Sequence, residues 1–348
     1  MDEEKSIPDE IRKYVSNTDR DIYTVSNIPE EVIAVIFAYV SRSTKSFREN
    51  IMTVIEEEQL GRDRAAKFHE KWVLNYGHAS VAEHAAVHIG VERVSRLFSS
   101  VLELSNEYLS FTEYSQRYQK PMKGDFHVPG ELNNNDRLRE EFIELNNLQY
   151  DIYEQLNDRL LEYLKDTVPV PEGKSDKAHM RALEKVAFED ARYALNLSTL
   201  TNLGMTGNAR AIEDCLSKLL SSRYAEVRSR ANEIKNEVKF SVPTLVKYAD
   251  ENNYITDTRT ALRELTRDLL PMDGIYNSDK SYEVNLLNWT GKGMPDCQTF
   301  AIEKILNCML FEHSRKTLGE VSAVVEGLSV SQKLKIFKKS LENLGKYD

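Results

Sequence analysis

A chain of 348 residues, 41% apolar and 29% charged, is long enough for two domains with cores of their own. Its formal net charge of -10 argues against a nucleic-acid binder that works through a broad basic surface, though it leaves room for a local basic pocket. Its three cysteines, Cys215, Cys297 and Cys308, have no paired metal spacing, the first twenty residues lack a signal-peptide apolar core, and the longest apolar run, Val32 to Val40, is too short to span a bilayer. These features predict a soluble, cytoplasmic protein with reduced thiols and no structural metal.

In chain order, residues 1–20 form a polar N-terminal segment, and Asp21-Ile22-Tyr23-Thr24-Val25 predicts a short strand. Pro29 followed by Glu30 and Glu31 marks a helix start, with Val32 to Tyr39 as its apolar body. Ser41, Ser43 and Ser46 predict a polar loop. A second helix runs through Phe68, Trp72, Val73 and Tyr76 and stops at Gly77. Val87, Ile89 and Val91 alternate with His88 and Gly90, predicting a half-buried strand, and a helix follows over about Ser95 to Asn106. Pro121, Pro129 and Gly130 mark a loop. Long helices are predicted over Asp136 to Leu164, Ala178 to Leu195 and Ala209 to about Lys239, the first broken by Pro169 and Pro171.

Downstream, residues 246–280 predict a polar connector with some helix around Leu262 to Leu270. Glu283-Val284-Asn285-Leu286-Leu287 predicts a strand, Phe300 to Leu310 a helix, and Leu334, Phe337 and Leu341 a further helix ending at Gly345. This order repeats the one from Ile22 to Gly77, so residues 281–348 are expected to begin a second copy of the first domain (21–245), cut before its own histidine motif.

Three clusters carry possible chemistry. In Gly77-His78-Ala79-Ser80-Val81-Ala82-Glu83-His84, Ser80 and Glu83 fit a capping box. The same run with His88 also offers metal-ligand types, without a known ligand spacing, or a polar ligand pocket at a helix end. The second cluster, Ser110 to Tyr118, holds Glu113, Ser115, Arg117 and Tyr118; hydroxyl and carboxylate suit base edges, and Arg117 suits phosphate or a buried carboxylate. In the third, Glu189 and Arg192 stand three apart on a helix, and Thr206-Gly207-Asn208-Ala209-Arg210 predicts a loop entering a helix with Asn208 as N-cap. Such a helix start beside an Arg is also a possible phosphate site.

In this order the clusters resemble the flavin-dependent thymidylate synthases. The matches are Gly77 to His84 for the Gly-His-x-Ser-x-x-Glu-His segment, Val94-Ser95-Arg96, Ser115-Gln116-Arg117-Tyr118, Glu189 with Arg192, Asn208-Ala209-Arg210, and Ala38-Tyr39-Val40-Ser41 for an early Ala-x-Val-Ser. The resemblance covers about residues 20–245, and weakly 283–348, and implies an α+β fold, helix-rich with a central, mainly antiparallel sheet. It implies reductive methylation of dUMP to dTMP, with FAD as redox carrier and NADPH and methylenetetrahydrofolate as co-substrates. Ser41, His78, Ser80, Glu83, Asn208 and Arg210 would then hold the flavin, and Glu113, Ser115, Arg117 and Arg192 the nucleotide, in a homo-oligomer whose sites lie between chains or repeats. The departures are as informative. Ser105, Asn106 and Glu107 occupy the family's Arg-His-Arg positions, and the later Arg that holds the uracil ring falls near Lys218 to Leu220. These losses favour an alternative, a non-catalytic flavin- or nucleotide-binding or assembly half of a tandem pseudoenzyme. An enzyme rebuilt for another pyrimidine nucleotide is a third reading.

Overall fold

The structure is a computed structural model that describes residues 9–40, 43–58, 79–271 and 297–345. The chain divides into two compact units, Met1–Glu251 and Asn252–Asp348.

The first unit is built on a three-stranded antiparallel sheet flanked by helices, the α+β architecture expected. Its strands are β1 (Ala86–Ser95), β2 (Ser110–Glu113) and β3 (Leu200–Asn208), in the order β1-β3-β2. The alternation that predicted β1 holds: Val87 and Val91 are buried while His88 and Gly90 are exposed. The register against β3 shifts between Val91 and Val94, where Arg93 takes a positive φ of 53°, a bulge that returns Val94 and Ser95 to the interior.

Helix α1 (Glu30–Val40) has two buried faces. Ala34 and Ala38 enter the main core, while Val32, Val35 and Ile36 join a smaller one with Ile11, Val15 and the apolar face of α2 (Phe47–Glu58). The segment Asp21–Val25 does not form a strand. Val25 makes one isolated bridge to Val15, and Tyr23 packs edge-on against Phe47, so its alternation serves packing on helices. The helix expected through Phe68 to Tyr76 lies outside the described residues, as do Ser41 and His78.

Ser95 caps α3 (Arg96–Glu103) by accepting from the Phe98 N–H. The predicted long helices are present as α4 (Asp136–Thr167) and α5 (Asp176–Ala191). The single helix expected over Ala209 to Lys239 is two, α6 (Ala209–Leu220) and α7 (Ala225–Val238). Between them the Ser221 hydroxyl donates back to the Ser217 carbonyl and the Ser222 hydroxyl accepts from the Tyr224 N–H, local bonds that replace the helical ladder. The loop expected at Thr206 to Asn208 is instead the end of β3, the central strand. Gly204 and Gly207 masked its alternation, yet Leu203, Met205 and Gly207 all face inward. At Gly207 the reason for glycine is contact: a Cβ would overlap Leu109 Cδ2.

The second unit contains α8 (Asn253–Leu269), α9 (Cys297–Phe311), α10 (Leu318–Gly327) and α11 (Val330–Ser340) around Leu262, Leu306, Leu310, Val321, Val325 and Ile336. Helix α8 is longer than the helical stretch expected in the connector, and its N-cap, Asn252, accepts from the Tyr254 and Ile255 N–H groups. Capping boxes Thr317/Glu320 and Ser329/Gln332 start α10 and α11. The strand expected over Glu283 to Leu287, on which the repeat reading depends, lies outside the described residues. No helix among the described residues is long and apolar enough to cross a membrane.

Candidate functional site

A cleft of about 760 Å³ opens where the 3-10 turn Ala79–His84, the segment after α3 and the first turns of α6 meet. Its lining brings together Glu83, Asn208 and Arg210 with Ser105, Asn106, Glu107, Tyr108, Asp214 and Lys218. Helical periodicity explains the α6 contribution. Arg210, Asp214 and Lys218 are four apart and share one face, while Ile212, Cys215, Leu216 and Leu219 face the core. Lys218 is therefore the cleft residue and Leu219, 1% exposed, is not.

The Asn208 side chain caps α6, accepting from the Ala211 N–H at 2.9 Å. Glu83 does not close a capping box within its own short turn; it reaches across and pairs with Arg210. Lys218 Nζ donates to Asp214 Oδ2 at 2.7 Å and to the Ser105 carbonyl at 3.0 Å. Asn106 Nδ2 donates to the same Asp214 oxygen at 2.7 Å, and its own carbonyl accepts from the Tyr108 N–H at 2.8 Å. The Ser105 hydroxyl sits 3.0 Å from Cys215 Sγ and 2.7 Å from the Leu102 carbonyl. Both cations among the described lining residues are thus engaged by carboxylates of the same chain. Glu107 is exposed and makes no hydrogen bond or ion pair with a described residue.

The electrostatics around α6 are correspondingly acidic. Burial, and then the neighbouring Asp214, raise the Glu213 carboxyl above its ordinary value, with Arg210 opposing. Burial pushes the Cys215 thiol up to about 11, which keeps it neutral.

The residues expected to meet the nucleotide form a separate group. Glu113 pairs with Arg96 at 2.9 Å, Arg117 with Glu189 at 3.7 Å, and Arg192 Nε donates to the Glu189 carbonyl at 3.2 Å. The Ser115 hydroxyl accepts from the Arg117 N–H at 3.3 Å. Glu113 is in register with Leu203 and Ser110 with Thr206, so this group lies at the other end of the β2–β3 pair from Asn208. Five residue steps along the strand take Leu203 to Asn208, roughly 17 Å. Within one chain, Glu113, Ser115, Arg117 and Arg192 do not line the cleft.

Ser80 is exposed on the rim-forming turn. His84 stacks on Phe37 with centroids 4.3 Å apart, and His88 Nδ1 lies 2.9 Å from Thr206 Oγ1, so neither histidine joins a carboxylate cluster. Among the described residues no three His, Cys, Asp or Glu side chains are grouped to hold a metal.

Sequence reasoning passed over Asp214, the residue that neutralises Lys218; the spacing Arg210-Asp214-Lys218 was the available signal. It also passed over Glu226, whose carboxylate holds Ser95 from 131 residues away, and no local pattern announces that pair.

Fold and cleft together define a helix-rich α+β domain with a polar, ligand-sized cleft at the end of its central strand. The thymidylate synthase complementing protein family matches residues 23–244, and the chain belongs to that family. It is 25% identical over 272 residues to a UPF0159 protein of Chlamydia muridarum, covering 72% of this chain and 51% of that protein. It is 24% identical over 330 residues to a UPF0159 protein of Chlamydia pneumoniae, covering 88% of this chain and 61% of that protein. A flavin-dependent thymidylate synthase of Clostridium tetani is 30% identical over 193 residues, covering 55% of this chain and 73% of that protein. The chain thus spans about half the length of the Chlamydia muridarum relative that it matches.

Proposed function

We propose that this domain keeps the ligand-binding frame of the flavin-dependent thymidylate synthases but does not, by itself, methylate dUMP. One observation carries the reading: Arg210 and Lys218, the two cations among the described residues lining the cleft, are paired with Glu83 and Asp214, and Glu107 adds a negative charge with no partner among the described residues. A flavin dinucleotide or a nucleoside monophosphate needs free donors or positive charge at its phosphates. The cleft has room for the ring systems of such ligands, while the charge of its described lining disfavours their phosphates.

The separation of the nucleotide group from the cleft supports a second part of the proposal. Ser115, Arg117 and Arg192 would serve a cleft on another copy of the domain, or on a second repeat of the kind expected from residue 281 onward. The domain then contributes to an assembly with sites between domains. Such an assembly, with NADPH and methylenetetrahydrofolate as co-substrates, is where reductive methylation would reside, and the relatives named flavin-dependent thymidylate synthase favour that wider activity.

The test is the absorption spectrum of added FAD in the presence of the purified chain, with and without dUMP. An unperturbed FAD spectrum and no change on adding dUMP are expected. Stoichiometric FAD whose spectrum shifts with dUMP, accompanied by turnover of dUMP, would overturn the reading.

A further inference from the structure

We infer that the cleft selects its ligand against phosphate: it takes an uncharged aromatic heterocycle with N–H donors and excludes the phosphorylated form of the same molecule. The inference rests on the reading of this cleft as the family's ligand cavity, and it names the ligand class that the altered lining suits.

The first observation is the charge of the lining. Among the described lining residues three carboxylates, Glu83, Glu107 and Asp214, face two cations, Arg210 and Lys218, leaving one net negative charge, and both of these cations already have carboxylate partners. A phosphomonoester brings about -1.5 to -2 charges at neutral pH. Lys218 already gives two of its three N–H donors to Asp214 and the Ser105 carbonyl, and Asn106 gives one of its two to Asp214, so a phosphate there would share them with the Asp214 carboxylate beside it. The helix start offers little instead, because Asn208 already accepts from the Ala211 N–H.

The second observation is what the cleft leaves unused. The Glu107 carboxylate has no partner among the described residues and is an acceptor only, so it suits an N–H group of a pyrimidine or an isoalloxazine ring. Beside it, Tyr108 is 73% exposed and Leu104 87% exposed, a bare aromatic and aliphatic rim against which a flat ring can stack. The volume, about 760 Å³, lies in the range of small-molecule sites. Acceptor, stacking surface and room are present, and among the described lining residues a cation without a carboxylate partner is not.

Riboflavin and FMN differ only by the phosphate, as do deoxyuridine and dUMP, so each pair isolates the inference. The experiment is a fluorescence titration of the full chain with riboflavin, FMN and FAD, repeated in Glu107→Lys, with deoxyuridine and dUMP as competitors. Glu107 is exposed, so its replacement leaves the core intact, which circular dichroism verifies. Riboflavin is expected to bind at least tenfold more tightly than FMN or FAD, deoxyuridine to compete better than dUMP, and Glu107→Lys to shrink or reverse both preferences. The preference is also expected to weaken as salt screens the repulsion. Equal or tighter binding of FMN or FAD overturns the inference, as does no riboflavin binding by the folded chain, or an unchanged preference in Glu107→Lys. Turnover of dUMP separates the two readings. FMN or FAD bound tightly without turnover removes only the phosphate exclusion, whereas tight binding with turnover removes the non-catalytic reading as well.

Discussion

The Glu226 carboxylate, in α7, accepts from both the backbone N–H and the hydroxyl of Ser95, at 2.9 and 2.5 Å, and so ties the end of β1 to a helix 131 residues away. The same Ser95 hydroxyl accepts from the Phe98 N–H and starts α3, which leads directly to the cleft positions 104–108. Removing the carboxylate strands a buried N–H and frees the cap. Glu226→Ala is expected to cost about 2–4 kcal/mol of unfolding free energy, read from urea midpoints. A loss below about 0.5 kcal/mol, the range of ordinary surface changes, would show that this tie does not hold β1 to α7.

Glu31 gives the fold a pH dependence. Burial raises its carboxyl, outweighing the Thr244 and Leu245 N–H groups that bond it. A carboxyl raised in the folded state binds more protons there than in the unfolded chain. Its contribution is therefore full below the unfolded value near pH 4.3 and is lost as pH rises through the folded value. Glu31→Gln keeps an acceptor without the charge and is expected to flatten the fall of the urea midpoint as pH rises from the unfolded carboxylate value through the raised folded one. An unchanged slope would assign that dependence to other groups, of which Glu103 and Glu213, both raised first by burial, carry the same sign.

Gly207 and Leu109 share one space. An added Cβ at 207 overlaps Leu109 Cδ2, and Leu109 is itself buried. Gly207→Ala is expected to destabilise by about 1–3 kcal/mol. In a Leu109→Ala background the same change should cost much less, a coupling of about 1–2 kcal/mol in a double-mutant cycle. Additive effects would place the strain elsewhere on β3.

Two thiols should separate by reactivity. Cys215 is buried with its thiol pushed up to about 11, whereas Cys308 is exposed. At pH 8 roughly one Cys215 in 1,000 is a thiolate, against about one in four for an ordinary thiol. Iodoacetamide followed by peptide mapping is expected to modify Cys308 at least a hundredfold faster, with Cys215 reacting only on unfolding. Comparable rates would contradict the packing of α6 against the core.

The parts of the fold written in local periodicity were legible in the sequence. The runs Val32–Val40, Val87–Val91 and Asp136–Leu164 predicted α1, β1 and α4, and Asn208 predicted its own cap. Strand β3 was not legible, because two glycines and two asparagines dilute its alternation and its place between β1 and β2 is set by non-local pairing. The break between α6 and α7 was hidden because no glycine or proline marks it; serine side chains bonding the backbone end the helix. At the cleft, motif order grouped Glu83, Asn208 and Arg210 with Ser41, His78 and Ser80, and the structure places the first three on one lining. It could not show that Glu83 and Asp214 neutralise the cations, since those pairs depend on where the turn and helix face each other. Nor could it show that the Arg117 group stands at the opposite end of the strand pair, which the register alone decides.

With the described cations of its cleft already paired, this chain is expected not to methylate dUMP unaided. The direct measurement is tritium release from C5-labelled dUMP by the purified chain supplied with FAD, NADPH and methylenetetrahydrofolate. The account predicts release indistinguishable from a protein-free control, even at micromolar chain concentration. Sustained release that requires all three additions, and that disappears in Lys218→Ala, would contradict it.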